Sequence, residues 1–221
     1  MSDVIQVDVW SDIACPWCYI GKRKFEDGAA RFAAEHPDTR VEVTYHSFEL
    51  APDTPVDFEG SDHDFLVSRG YPPEQVRQML DRVTGVAAEV GLDYDFASLK
   101  HTKTLKAHQL LHYAKAHGKQ IEAKERLLRA YFVEGRHVGR DEELADLAAE
   151  IGLDRDDVLR ALAANEYLDA VNADIELATR YGIQGVPFFV FDSKYGVSGA
   201  QAPETFAQVL AKVEDERVPS A

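Results

Sequence analysis

The only two cysteines of the chain stand as Cys15-Pro16-Trp17-Cys18, where an apolar run, Val4 to Trp10, gives way to a helical pattern. That placement calls for a fold in which a helix springs from the end of a strand, and it makes a redox dithiol the leading reading of the pair. With Cys18 three residues beyond Cys15 on a first helical turn, the two sulfurs face each other closely enough to form and break a disulfide. The helix start also separates their roles. Cys15 at the N-terminus meets unpaired backbone N–H groups and the positive end of the macrodipole, whereas Cys18 lies one turn further in. Cys15 is therefore expected to be the thiolate nucleophile, with a pKa below the free-thiol value of about 8.5, and Cys18 the resolving thiol. Pro16 suits a first helical position, where its missing N–H costs no intrahelical bond.

Two blander readings compete. His108 and His112, spaced i,i+4, could join the cysteines as zinc ligands, but His108 lies about 90 residues beyond Cys18, far outside finger spacing, and no second C-x-x-C completes a ribbon. A structural staple is disfavoured because so short a loop constrains the unfolded chain little.

Val4 to Trp10 reads as a strand, Cys18 to about Glu35 as a helix, and Val41 to His46 as a second strand, which makes a β-α-β unit with parallel neighbours. Ala51 to Gly60, with Pro52 and Pro55 and no clear period, reads as a linker. From about Ser61 to Ala164 helical periods repeat: Val76, Met79, Leu80 and Val83; Leu105, Leu111 and Ala114; Leu127, Leu128, Tyr131 and Phe132. Asp141 and Asp154 stand at the starts of two later helices. A further helix carries Leu168, Val171, Ile175 and Ala178, with Gly182 as its expected C′ residue. Strand character returns at Val186 to Phe191 and, after a turn at Asp192-Ser193-Lys194, at Tyr195 to Gly199; Glu204 to Val213 reads as a terminal helix. This is the order of an α/β thioredoxin fold interrupted by an α-helical insertion domain. Residues 1–52 form its first part, 53–164 the insertion and 165–221 its second part.

The chain has 221 residues, 45% of them apolar, enough for an ample core without cross-links. A formal charge of −15 argues against nucleic acid or anionic membrane as partner. Residues 1–10 lack a basic segment followed by an apolar one, and no run of about 18 apolar residues occurs, so a cytoplasmic location is expected. In that setting thiols stay reduced and a lone C-x-x-C serves chemistry. Lys22, Arg23 and Lys24 follow the dithiol and could favour the Cys15 thiolate, or simply form a polar helix surface.

Pro187 opens an apolar strand, where proline is tolerated because the first residue need not donate to the ladder. The same position suits a cis Val186-Pro187 bond set against the dithiol, with the Val186 backbone pairing an extended substrate; spacing alone leaves both readings open. His108 shares a helical face with Leu105 and Leu111 and reads as a packed core histidine or as a ligand or base. Asp12 could relay the Cys18 proton or cap the following helix. Phe48, Tyr131 and Phe132 could line a cleft or fill the core.

Asp12 to Gly21, Ala107 to Leu111, Arg129 to Gly135, Gly185 to Val190 and Tyr195 to Gln201 resemble recurring segments of the DsbA-like oxidoreductases of the FrnE type, and these blocks span nearly the whole chain. The resemblance implies a thioredoxin fold with a helical insert, Cys15 and Cys18 as the redox pair and Pro187 as the cis-proline. Pro16, Trp17, Val186 and Pro187 are then the expected substrate-binding residues, with a protein or small-molecule thiol or disulfide as partner. Some FrnE-like proteins carry further cysteines near the C-terminus; this chain has none, so a second disulfide relay is not implied. The expected activity is cytoplasmic thiol-disulfide exchange, with no metal, no cofactor besides the Cys15-Cys18 disulfide, and glutathione as a candidate participant. A glutathione-dependent isomerase or transferase of the 2-hydroxychromene-2-carboxylate isomerase or kappa-class type is the alternative enzyme, although those families typically present serine where Cys15 stands. A non-catalytic zinc-binding or interaction protein is the third reading.

Overall fold

Alternation along the first strand decides which side of the sheet each layer covers. In β1 (Asp3–Ser11), Ile5, Val7 and Val9 point to one face and Trp10 to the other, because successive side chains of a strand leave on opposite sides. The computed structural model describes residues 3–217; residues 1–2 and 218–221, the outermost ends of the two thioredoxin-like segments, lie outside the described residues. Helix α1 (Pro16–Glu35) returns the chain to β2 (Thr39–Ser47), which runs parallel to β1 with Asp3 opposite Thr39 and Ser11 opposite Ser47. Helix α1 begins at Pro16, whose preset φ suits the first helical position, and this leaves Cys15 as the N-cap.

Six helices follow: α2 (Asp62–Ser68), α3 (Pro73–Glu89), α4 (Leu105–Ala116), α5 (Gln120–Phe132), α6 (Asp141–Glu150) and α7 (Arg155–Ala163). Helix α2 is too short for an apolar period to reveal; its start is the capping box of Ser61 and Asp64. Asp154 caps α7 by accepting the Asp157 N–H at 2.9 Å, whereas Asp141 lies inside α6, with Arg140 at the N-cap. Helix α8 (Leu168–Arg180) ends before Gly182, whose φ of 69° fits the left-handed C′ position. Strands β3 (Phe188–Phe191) and β4 (Tyr195–Ser198) form an antiparallel hairpin, and helix α9 (Pro203–Arg217) ends the described chain. The four-stranded sheet has the order β2-β1-β3-β4. Phe25 and Phe32 of α1 and Phe206, Leu210 and Val213 of α9 pack on the face that carries Val7, Val9, Phe189 and Phe191.

A second core gathers the insertion helices and includes Ile13, Tyr19 and Ile20, so the insertion packs directly on the first turns of α1. No described helix is long and apolar enough to cross a membrane.

Beside the edge strand β2, Asp174 of α8 accepts from His46 Nδ1 at 2.6 Å, His112 Nε2 at 3.0 Å and the Ser47 N–H at 2.8 Å, while His46 Nε2 reaches Asp8 at 2.8 Å. Burial opposes charge on His46, but the hydrogen bonds to Asp174 and Asp8 outweigh it and push its pKa up to about 9. A pKa raised on folding adds stability that is complete below the unfolded value of about 6.5 and is lost as pH rises through the folded value. We therefore expect His46→Gln to lower stability by on the order of 3 kcal/mol at pH 6 and by little at pH 10. Denaturant midpoints of both proteins across that range check this, and a pH-independent difference would remove the ion pair as its source.

Candidate redox site

The dithiol occupies the first turn of α1, with the Cys18 N–H donating to the Cys15 carbonyl oxygen at 3.0 Å. Both residues are free thiols and each is 3% exposed. The loop before β3 closes over them. Cys15 Sγ donates to the Val186 carbonyl oxygen at 3.5 Å, and the Val186-Pro187 bond is cis. Gly21 lets this loop approach, because a Cβ there would stand 2.8 Å from Cγ of Pro187. The insertion holds the other side, where the Tyr94 hydroxyl donates to the Pro16 carbonyl at 2.7 Å.

Asp12 is buried behind this turn and accepts from the Ile13 N–H (2.7 Å), the Leu50 N–H (2.8 Å), the Thr104 hydroxyl (2.7 Å) and His108 Nε2 (3.1 Å). Asp12 is thus not the helix cap; it ties the β1–α1 connection to the segment after β2 and to the start of α4. Burial opposes its charge, yet His108, the Leu50 N–H and Thr104 hold its carboxyl below the usual range. His108 is a buried, hydrogen-bonded residue, and His112 bonds to Asp174 instead, so the two histidines serve different carboxylates.

The electrostatics correct the sequence expectation for Cys15. Burial, then the hydrogen bond and charge of Cys18, then the Asp12 carboxylate push the Cys15 thiol up, and the Cys18 N–H only partly offsets them. Burial works against charge at Cys18 too, but the hydrogen bond from Cys15, the Lys124 ammonium, Ser11 and the Asp12 N–H outweigh it and bring its pKa down. The helix N-terminus does not prevail at Cys15 because the site is dry and faces a fixed carboxylate. The dithiol titrates as one unit, with the Lys124 ammonium favouring a thiolate and burial and the Asp12 carboxylate opposing it.

The basic run is spent elsewhere. Lys22 Nζ bonds Glu26 at 2.5 Å and Glu125 at 2.6 Å, Arg23 pairs with the same two glutamates, and Lys24 reaches the Ala200 carbonyl at 3.5 Å. Of the aromatics considered for a cleft, Tyr131 and Phe132 fill the insertion core and Phe48 packs beside Trp10 on the opposite sheet face. The cleft is built from other residues. A cavity of about 640 Å³ lies beside the dithiol, lined by Pro16, Trp17, Leu50, Phe65, Tyr71 and Met79 among others, and Trp17 is 37% exposed at its edge. The helical period of Met79, Leu80 and Val83 supplies part of this wall, and the rest comes from segments far apart along the chain that only the fold brings together. Among the described residues no group of three or more His, Cys, Asp or Glu is arranged to hold a metal ion.

Residues 6–211 match the family model described as the DSBA-like thioredoxin domain. A crystal structure from Streptomyces coelicolor, named as that of a probable DsbA oxidoreductase, is 40% identical with a TM-score of 0.88, covering 98% of this chain and 93% of that one. A 2-hydroxychromene-2-carboxylate isomerase superposes with a TM-score of 0.72 at 15% identity, covering 97% of this chain and 100% of that one. The cytosolic disulfide reductase DsbM of Pseudomonas aeruginosa, solved with GSH, gives 0.61 at 22% identity, covering 95% and 99%. These last two are likenesses of fold. The family match over nearly the whole chain and the 40% identity carry the assignment: this chain belongs to the DSBA-like thioredoxin domain family.

Proposed function

We propose that the chain is a thiol-disulfide oxidoreductase in which Cys15 attacks a substrate disulfide and Cys18 resolves the mixed disulfide. The observation that carries this reading is the hydrogen bond from Cys15 Sγ to the Val186 carbonyl oxygen. An extended substrate pairing with Val186 would offer its own N–H to that oxygen and displace the thiol from it. Cys15 then passes its proton to the Cys18 thiolate on the same helical turn and attacks as a thiolate. One substrate sulfur joins Cys15 and the other leaves with the electron pair. Cys18 next gives that proton to the substrate thiolate released in the first step and attacks Cys15 Sγ; the intramolecular disulfide forms and the second substrate sulfur departs with the electron pair of its bond to Cys15. The same steps run backwards oxidise a dithiol.

The apolar cavity beside Trp17 would receive an apolar part of a protein or small-molecule substrate. A cytoplasmic setting belongs to the same proposal and is supported by cysteine usage, with two cysteines in 221 residues and both in the site. The FrnE-type branch rests on the segments around Cys15 and Val186 quoted above.

The second reading, a glutathione-dependent isomerase or transferase, draws on the fold shared with 2-hydroxychromene-2-carboxylate isomerase and on the glutathione bound by DsbM. The cysteine pair separates the two. A dithiol enzyme completes its cycle alone, because Cys18 resolves the intermediate at high effective concentration. We expect reductase activity on a model protein disulfide with a dithiol donor and no glutathione, and its loss in Cys18→Ala. Obligatory glutathione, with Cys18→Ala fully active in an isomerase or transferase assay, would put the second reading in place of the first.

A further inference from the structure

Two lysines are buried, and their circumstances differ. Lys22 is satisfied by Glu26 and Glu125, whereas Lys124, on α5, is 0% exposed and its Nζ has no hydrogen-bond partner among the described residues. A buried ammonium without a partner is costly, so a chain retains one where a charge opposite it compensates. The ring of Tyr45 on β2 lies under Nζ at 5.4 Å and supplies part of that compensation. The ion pairs of Glu125 with Lys22 and Arg23 set α5 against the helix that carries the dithiol, and the charges that act on Lys124 there are those of Cys18, Asp12 and Cys15, which favour the ammonium, and of Lys22, which opposes it. Glu125, its neighbour on α5, is turned to Lys22 and Arg23.

Asp12 already accepts four hydrogen bonds, which favour its charged form whatever the state of the cysteines. The dithiol depends on that state for its charge. Its thiolate is present in the reduced protein and vanishes when the disulfide closes. Lys124 therefore faces one constant anion and one that appears and disappears with the redox state.

We propose that Lys124 is the counter-charge of the dithiol, a positioning residue whose ammonium holds the negative charge of the reduced pair at Cys18 and loses that partner when the disulfide forms. This rests on the oxidoreductase reading above. In the closing step the Cys18 thiolate attacks Cys15 Sγ, the bond from Cys15 to the substrate breaks, and the substrate leaves as a thiolate that carries the negative charge away. The Lys124 Nζ can then release its proton to solvent, so the interior loses one positive charge with the negative one. Burial already lowers the Lys124 pKa to about 8, with Cys18, Asp12 and Cys15 opposing that fall, so removing the Cys18 charge moves it further down toward neutrality. The insertion domain, which contributes α5, thereby helps to set the poise of a dithiol carried by the thioredoxin part.

The test is Lys124→Met, which keeps the length of the side chain and removes the charge. Equilibration of the full-length variant and the wild type with glutathione redox buffers at neutral pH gives the constant for dithiol and disulfide. Without the ammonium the thiolate is less stable, so the expected shift is at least tenfold toward the disulfide, a fall of about 30 mV in reduction potential. The thiolate absorbance of the reduced variant should also titrate at higher pH. Equal constants and equal titrations overturn the proposal. Should the variant not fold, NMR of isotope-labelled lysine in the wild type decides: Nζ of Lys124 should titrate lower in the oxidised than in the reduced protein, and identical titrations overturn the proposal. A wild-type dithiol that equilibrates with neither glutathione nor a dithiol reductant tells against the oxidoreductase reading itself, whereas exchange that is insensitive to Lys124 tells against the counter-charge alone.

Discussion

Cys15→Ser is expected to lose disulfide exchange by about a thousandfold or more, the scale on which removal of a catalytic nucleophile is felt, while Cys18→Ser keeps the attack and accumulates mixed disulfides. The two variants differ because the sulfurs face different groups. Cys15 Sγ lies on the Val186 carbonyl, where an extended substrate would pair, whereas Cys18 is turned toward Ser11 and the charge of Lys124. Without Cys18, the hydrogen bond and charge that contribute to raising the Cys15 thiol are gone, leaving burial and the Asp12 carboxylate against it. Cys15 in Cys18→Ser should therefore titrate lower than in the intact pair. Mass spectrometry of adducts with a model disulfide reads the trapping, and equal trapping by both variants would sink the assignment of roles.

Asp12→Ala is expected to cost about 3–5 kcal/mol, the range seen when one partner of a buried polar network is removed and the other groups are left dry and unpaired. Four donors lose their acceptor at once: the Ile13 and Leu50 backbone N–H groups, the Thr104 hydroxyl and His108. The Ile13 N–H cannot turn to water, because that residue is fully buried. The carboxyl is held below its ordinary value, so its contribution is present above the unfolded value of about 3.8 and is lost as pH falls through the folded one. The stability gap between wild type and Asp12→Ala should accordingly be full at neutral pH and shrink in strong acid. Urea unfolding at both conditions measures it, and a neutral-pH loss under about 1 kcal/mol would mean that Asp12 does not hold these segments together.

Much of the fold is legible in local pattern, because the signals concerned act over a few residues. Alternation in Val4 to Trp10 specifies a strand with two different faces, and the structure covers those faces with different helices. Gly182 and Asp154 stop and start helices through their own backbone and side-chain chemistry. Where such signals weaken, so does the reading: Asp141 is an acidic first-turn residue rather than a cap, and α2 is shorter than the period that would reveal it.

The site divides in the same way. The cysteine pair and the proline between them stand out in the sequence, whereas spacing left the proline before β3 open between a plain strand start and a cis bond, and the backbone is cis there. The chemistry of the pair is another matter. The expectation of a lowered Cys15 followed correctly from a helix N-terminus, but that field acts alongside burial and a carboxylate, and neither can be counted along the chain. Asp12 draws its partners from Leu50, Thr104 and His108, and Lys124 comes to the dithiol from a helix of the insertion. By itself the sequence determined the order of elements and the strand-to-helix turn that carries the cysteine pair. Only the tertiary structure decided which charges and how much burial surround the two sulfurs, because desolvation and Coulomb energies depend on distances through space between segments that the chain keeps far apart.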